Sequence, residues 1–203
     1  MKLEYFKDTI GIYPGALDQS FCNEMIEEFH RQQKGNVYEG FTLGGKNYRS
    51  KRTYELNLKN TGNELYDGWV KTIEESAIRL NKRYLKKFGH LEKFNPLQVH
   101  GEGVYYPLWK IQEYKKNQGH YHAWHTEQNY SRDTAQRLMV SMFYLNDVHK
   151  GGETCFPLSD IEVTPEAGTL VTWPAGWPWV HNANVPISND KFKFFYSWKT
   201  PCN

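Results

Sequence analysis

The 203-residue chain contains few cysteines, little net charge and no long apolar run. Its three cysteines, Cys22, Cys155 and Cys202, are odd in number and form no Cys-x-x-Cys pair. That excludes a disulfide framework or a thiolate zinc site and predicts a reducing compartment. No apolar stretch approaches the ~20 residues a membrane helix needs, and residues 1–8 lack the apolar core of a secretory signal. The expected protein is cytoplasmic, with no membrane partner. A formal charge of +2 makes no electrostatic case for nucleic acid. The basic clusters Arg49-Ser50-Lys51-Arg52 and Lys82-Arg83-Tyr84-Leu85-Lys86-Lys87 are short and read as solvated faces. There is no internal repeat and no low-complexity linker. The zinc helix motif His-Glu-x-x-His is also absent.

What is present is globular. The hydrophobic set makes up 39% of the chain and aromatic residues 16%, enough for a substantial core. The length fits a single domain over residues 1–203, with helical support over about 1–100 and a β-rich core over about 107–200. Residues 9–13 predict a short strand ended by Pro14-Gly15, and Asp18 or Ser20 can cap a helix reaching about Gln33. Phe21, Met25, Ile26 and Phe29 supply its apolar face. Residues 35–52 are polar and Gly-rich and read as a mobile loop that could close over an extended peptide. A strand is expected over 53–58. A long helix over 63–88 then carries the stripe Leu65, Trp69, Ile73, Ala77, Leu80, Tyr84 and Phe88, with Gly89 as its cap.

Strands dominate afterwards, at 109–114, 138–145, 162–163, 169–173 and 191–198, with turn residues between them. The predicted fold is mainly β with N-terminal helices, built on a double-stranded β-helix (jelly roll) core.

His125-Thr126-Glu127 and His181 carry the chemistry. Two imidazoles and one carboxylate form a facial triad, which holds Fe(II) on one face and leaves the other positions open. On a strand, His-x-Glu places both side chains on one face, and the second histidine must come from another strand. Taken alone, the cluster His120, His122 and His125 could be a surface patch, a zinc site or a chance run. Lys191 and Lys193 share one strand face, read as a solvated edge or as an anion anchor. Trp173, Trp177 and Trp179, with Pro174 and Pro178, either pack over the barrel mouth or wall a substrate.

Further features fall in register: Tyr114, Gly119 and Tyr121; Phe143-Tyr144-Leu145-Asn146-Asp147; Gly151-Gly152-Glu153-Thr154-Cys155-Phe156; Pro165-Glu166-Ala167-Gly168-Thr169-Leu170; then Lys191, ten residues after His181, and Trp198. In this order the chain resembles the Fe(II)/2-oxoglutarate-dependent dioxygenases of the prolyl 4-hydroxylase type, over residues 109–200. The resemblance implies that His125, Glu127 and His181 ligate iron and that Lys191 and Tyr114 bind the distal carboxylate of 2-oxoglutarate. Trp198 would wall the pocket, and ascorbate would keep the iron reduced. It also implies hydroxylation of a C–H bond, first of all in a peptidyl proline, and hence a peptide or protein substrate. A small-molecule or nucleobase oxygenase, or a non-catalytic metal- or sugar-binding jelly roll, are the alternatives.

Two features depart from the family pattern. Glu127 stands where the family usually has Asp, and the loop from Gly119 to His125 is one residue longer, leaving His122 as a rival ligand. Lys193 is the rival of Lys191, and Arg137 matches a basic family position without an assigned role.

Overall fold

A computed structural model describes residues 4–42, 45–59, 61–88, 109–129, 134–135 and 137–199. Thirteen strands and two helices follow in the order β1 (Tyr5–Lys7), β2 (Ile10–Tyr13), α1 (Gln19–Gln32), β3 (Val37–Glu39), β4 (Lys51–Arg52), β5 (Tyr54–Asn57), α2 (Glu64–Lys87), β6 (Lys110–Tyr114), β7 (His120–His125), β8 (Arg137–Tyr144), β9 (Thr154–Phe156), β10 (Ile161–Val163), β11 (Leu170–Pro174), β12 (His181–Ala183) and β13 (Lys191–Lys199). They form two antiparallel sheets. The larger runs β1-β2-β11-β8-β13-β6-β5-β3 and the smaller β10-β9-β12-β7-β4. This is the jelly roll with helical support that the residue pattern predicts.

Period-two alternation sorts the larger sheet into two faces. On β8, Met139 and Phe143 face the helices, whereas Val140, Met142 and Tyr144 face inward. On β13, Phe192 and Phe194 join the helix-side core and Phe195 the interior. Both helices supply the outer layer through Met25 and Phe29 on α1 and Trp69, Ile73, Ala77, Leu80 and Tyr84 on α2. A buried polar clamp ties α2 to the sheet: Asn81 donates to Ser141 Oγ (3.0 Å) and accepts from Thr172 Oγ1 (3.0 Å).

Three expectations need correction. Residues 35–52 are not one loop, because Val37–Glu39 and Lys51–Arg52 extend the two sheets by pairing with β5 and β7. Their polar side chains hide strand character, since edge strands require no apolar alternation. On α2, Tyr66 rather than Leu65 is buried; Leu65 is 42% exposed. Tyr66, three residues before Trp69 and seven before Ile73, continues the stripe that the later turns define. Asp18 is the N-cap of α1 by backbone position, but its side chain makes no capping bond. The Gly89 cap lies outside the described residues.

Gly168 fastens the helical layer to the barrel. Its carbonyl accepts from Ala16 N (2.7 Å) and Leu17 N (3.1 Å), its φ is +72°, and a Cβ there would lie 2.1 Å from Leu17 O. Gly168→Ala is expected to lower stability by about 2–4 kcal/mol, since it combines left-handed strain with a backbone clash. Urea unfolding should show a lower midpoint at an unchanged slope.

Candidate active site

The three candidate ligands meet at the inner face of the smaller sheet. His125 ends β7 and pairs across the ladder with His181, the first residue of β12. Glu127 lies in the bend just past β7, so the strand-face rule positions His125 alone and the turn delivers the carboxylate. Glu127 Oε1 stands 3.6 Å from His125 Nε2 and 3.8 Å from His181 Nε2. One ligand atom from each residue falls within a 4.8 Å cluster, the one such group among the described residues. The other candidate, His122, is exposed and stacks its ring on His120 at 4.0 Å, away from this group.

The imidazoles are set for metal. A carbonyl can only accept, so the contacts His125 Nδ1 to Ala123 O (2.8 Å) and His181 Nδ1 to Trp179 O (3.1 Å) put the proton on Nδ1 in both rings. The Nε2 lone pairs are left pointing at the shared centre. Tyr121 stacks on His125 at 3.7 Å, and Trp173 meets His181 edge-on at 5.0 Å. Burial, with the neighbouring His125, pushes the pKa of His181 down to about 3, so its ring stays neutral at physiological pH. Burial alone would raise the pKa of Glu127; the Arg137 guanidinium, with the polar imidazole rings alongside, overcomes it and holds the carboxyl ionised.

Arg137, the first residue of β8, makes the Glu127 geometry. Its Nη1 donates to Glu127 Oε2 (2.7 Å) and to the Glu127 carbonyl (3.2 Å). One carboxylate oxygen is thereby occupied and the other, Oε1, is presented to the histidines. This arrangement accommodates the extra methylene of Glu relative to Asp. Arg137→Met should lower Fe(II) affinity by about 10–100-fold, the range for lost outer-shell partners. Titration of the apo-protein with Fe(II) under argon, against wild type, checks it.

The triad opens on a cavity of about 480 Å³, whose lining also includes Tyr38, Phe41 and Thr42. A polar row crosses its sheet wall in ladder register: Glu55 on β5 pairs with Gln112 on β6, Gln112 with Lys193 on β13, and Lys193 with Tyr144 on β8. Of the two candidate lysines, Lys193 lines the cavity. Lys191 lies one ladder step away, fully buried, its Nζ donating to Gly152 O (2.8 Å) and lying 4.4 Å from the Tyr114 ring centroid. Burial, then Lys193, depresses the pKa of Lys191 far below its ordinary value; burial also lowers that of Lys193, to about 7.

Tyr114 is fully buried, with Lys193 Nζ 5.1 Å from its ring, and its hydroxyl has no hydrogen-bond partner among the described residues. An orphaned buried hydroxyl costs about 1–3 kcal/mol, and an oxygen of a bound anion would satisfy it. The donor set therefore fits Fe(II) and a carboxylate cosubstrate. The side chain of Trp198 lies outside the described residues; its backbone pairs with Met139.

Tyr121, one of the features in register, lines the cavity, and so do Lys51, Lys110 and Gln112, none of which was singled out from the sequence as a functional residue. A signal existed for two of them: Lys110, Gln112 and Tyr114 alternate on one strand, so one inward residue implies the others. Lys51 carried none, because a lysine in a short basic cluster reads as solvent-facing.

Comparison with known proteins agrees with this geometry. Residues 109–196 match the 2OG-Fe(II) oxygenase superfamily. A probable prolyl 4-hydroxylase 10 of Arabidopsis thaliana is 31% identical over 148 residues, which are 72% of this chain and 44% of that protein. The chain thus spans less than half of that relative's length. A Pseudomonas putida prolyl-4-hydroxylase superposes with a TM-score of 0.69 at 15% identity, covering 94% of this chain and 92% of the other. A Trichoplax adhaerens prolyl hydroxylase, solved with a hypoxia inducible factor peptide fragment, superposes at 0.71 and 14% identity, covering 95% and 84%. The viral collagen prolyl hydroxylase of Paramecium Bursaria Chlorella virus-1 superposes at 0.63 and 16% identity, covering 95% and 97%. Over residues 109–196 the chain is thus similar to the 2OG-Fe(II) oxygenase superfamily, in a fold shared with solved prolyl hydroxylases.

Proposed function

We propose that the protein is an Fe(II)- and 2-oxoglutarate-dependent dioxygenase that hydroxylates a C–H bond, with a peptidyl proline as the leading substrate. One observation carries this reading. The three triad atoms converge within 4.8 Å on the wall of a cavity that also presents Lys193, a cation suited to a distant carboxylate. In this reading His125 Nε2, Glu127 Oε1 and His181 Nε2 hold the iron. Lys193 holds the distal carboxylate of 2-oxoglutarate, with the orphaned Tyr114 hydroxyl as a second donor. Lys191 supports the Tyr114 ring and the Gly152 turn from behind.

Iron with its keto acid supplies the O₂-dependent oxidation, which is cofactor chemistry. The chain supplies position. Arg137 fixes which oxygen of Glu127 faces the metal, and the aromatic rings of Tyr121, Phe156 and Trp173 hold the imidazole planes. The proline assignment is supported by the names of the relatives and by a peptide in one solved neighbour. Ascorbate is proposed as the reductant that keeps the iron ferrous. Cys22 and Cys155 are free thiols, in keeping with a cytoplasmic, reducing location.

Anaerobic addition of Fe(II) and 2-oxoglutarate to apo-protein should produce a weak visible metal-to-ligand charge-transfer band. Iron binding without that band would favour a metal-binding jelly roll over an oxygenase.

A further inference from the structure

The cavity holds more positive charge than the metal site and the cosubstrate use. Lys51, Lys110, Arg137 and Lys193 line it, while two carboxylates touch them: Glu127, held by Arg137, and Glu55. Glu55 is almost fully buried and accepts from Lys51 Nζ (2.6 Å), Lys110 Nζ (2.5 Å), Gln112 Nε2 (2.6 Å) and Thr53 Oγ1 (3.1 Å). One carboxylate thus sits under two ammonium groups, and its pKa is held down to about 2 by Lys110 and Lys51 against the opposing effect of burial. A divalent ion would add two positive charges and a dicarboxylate would remove two, so the surplus remains.

The Lys51–Lys110 pair is distinct from Lys193 and Lys191. Lys110 pairs with Phe195, one ladder step beyond the Gln112–Lys193 pair and farther from fully buried Lys191. Lys51 comes from β4, in the opposite sheet. Yet the pair adjoins the metal face. Lys51 Nζ lies 5.4 Å from the Tyr121 ring centroid, and the same ring stacks on His125. Keeping a lysine 5% exposed beside another lysine is costly unless an anion offsets it. Glu55 offsets one of the two.

We propose that Lys51 and Lys110, preset by Glu55 and Gln112, bind a carboxylate carried by the substrate that is oxidised, next to the carbon that is hydroxylated. The substrate class is thereby narrowed to an acid: a free amino acid or the C-terminal residue of a peptide, or a residue flanked by Asp or Glu. The inference rests on the oxygenase reading above.

The test uses whole protein loaded with Mn(II) and 2-oxoglutarate under argon, titrated calorimetrically with matched probes. The first pair is N-acetyl-L-proline and its neutral methylamide. The second is a pentapeptide with Glu or with Gln beside its proline. At least one acid should bind ten or more times tighter than its neutral partner. Preference in the first pair assigns a free carboxylate, and preference in the second an acidic side chain. Lys110→Met and Lys51→Met should each erase the preference while leaving 2-oxoglutarate affinity in place. Glu55→Gln, which keeps both lysines and the shape, should strengthen binding of the preferred acid.

An absence of acid preference in wild type, whether the probes bind equally or not at all, overturns the proposal without reliance on any variant. So does a loss of 2-oxoglutarate affinity on Lys51 or Lys110 substitution, which would make the pair part of the cosubstrate site. Failure of the oxygenase reading is visible separately, as absence of 2-oxoglutarate binding before any probe is added; the acid preference is then read with Mn(II) alone.

Discussion

His181→Ala is expected to abolish 2-oxoglutarate turnover and to remove the visible charge-transfer band while the protein stays folded. The reason lies in the tightness of the site. His181 is 5% exposed, neutral, and fixed by Trp179 O and the Trp173 edge, so its Nε2 has no function in the described structure other than to face Glu127 and His125. A bound metal contributes several kcal/mol of charge stabilisation, and each ~1.4 kcal/mol is tenfold in rate. The expected loss is therefore about a thousandfold or more. Glu127→Ala should match it and should in addition leave Arg137 as a buried unpaired cation. Its thermal midpoint should consequently fall further than that of His181→Ala. Turnover retained in either variant would remove these residues from the ligand set.

The second large effect separates two lysines on one strand face. Lys193→Met should raise the KM for 2-oxoglutarate by about 10–100-fold with a smaller change in kcat, since a hydrogen bond to a charged group contributes about 1.5–3 kcal/mol. Lys191→Met should leave that KM nearly unchanged, because Lys191 Nζ is engaged by Gly152 O. A large KM effect at Lys191 with none at Lys193 would reverse the assignment.

The pH dependence carries the same signature. Burial lowers the pKa of Lys193 to about 7, and the bound dicarboxylate favours the protonated amine. Binding therefore takes up a proton, and 2-oxoglutarate affinity should weaken as pH rises through about 7. Lys193→Met should flatten this profile. An affinity independent of pH in wild type would argue against Lys193 as the anchor.

Much of the architecture was legible in the linear chain, for a physical reason. The helix stripes and the strand runs around 138–145 and 191–198 are periodic, and periodicity reports which face is buried. Where the reading failed, burial did not select apolar side chains. β3 and β4 lie in a polar segment, and β4 buries Lys51 because Glu55 stands beside it. The bend after His125 was equally unreadable, because a two-residue spacing satisfies a strand and a turn alike.

The His-x-Glu and distant His triad was determined by the chain itself, since donor chemistry and spacing are local or nearly local properties. So was the parity that puts Lys191 and Lys193 on one face. Only the tertiary structure sets those lysines apart, with Lys193 on the cavity wall and Lys191 Nζ against Gly152 O, because the depth of a side chain depends on what packs around its strand. It alone brought Lys51, Glu55 and Lys110 together at the cavity wall, as contacts between elements of both sheets leave no period in the sequence. Arg137 shows both halves: its identity is read directly, but its role comes from the bend that carries Glu127 back toward the start of β8.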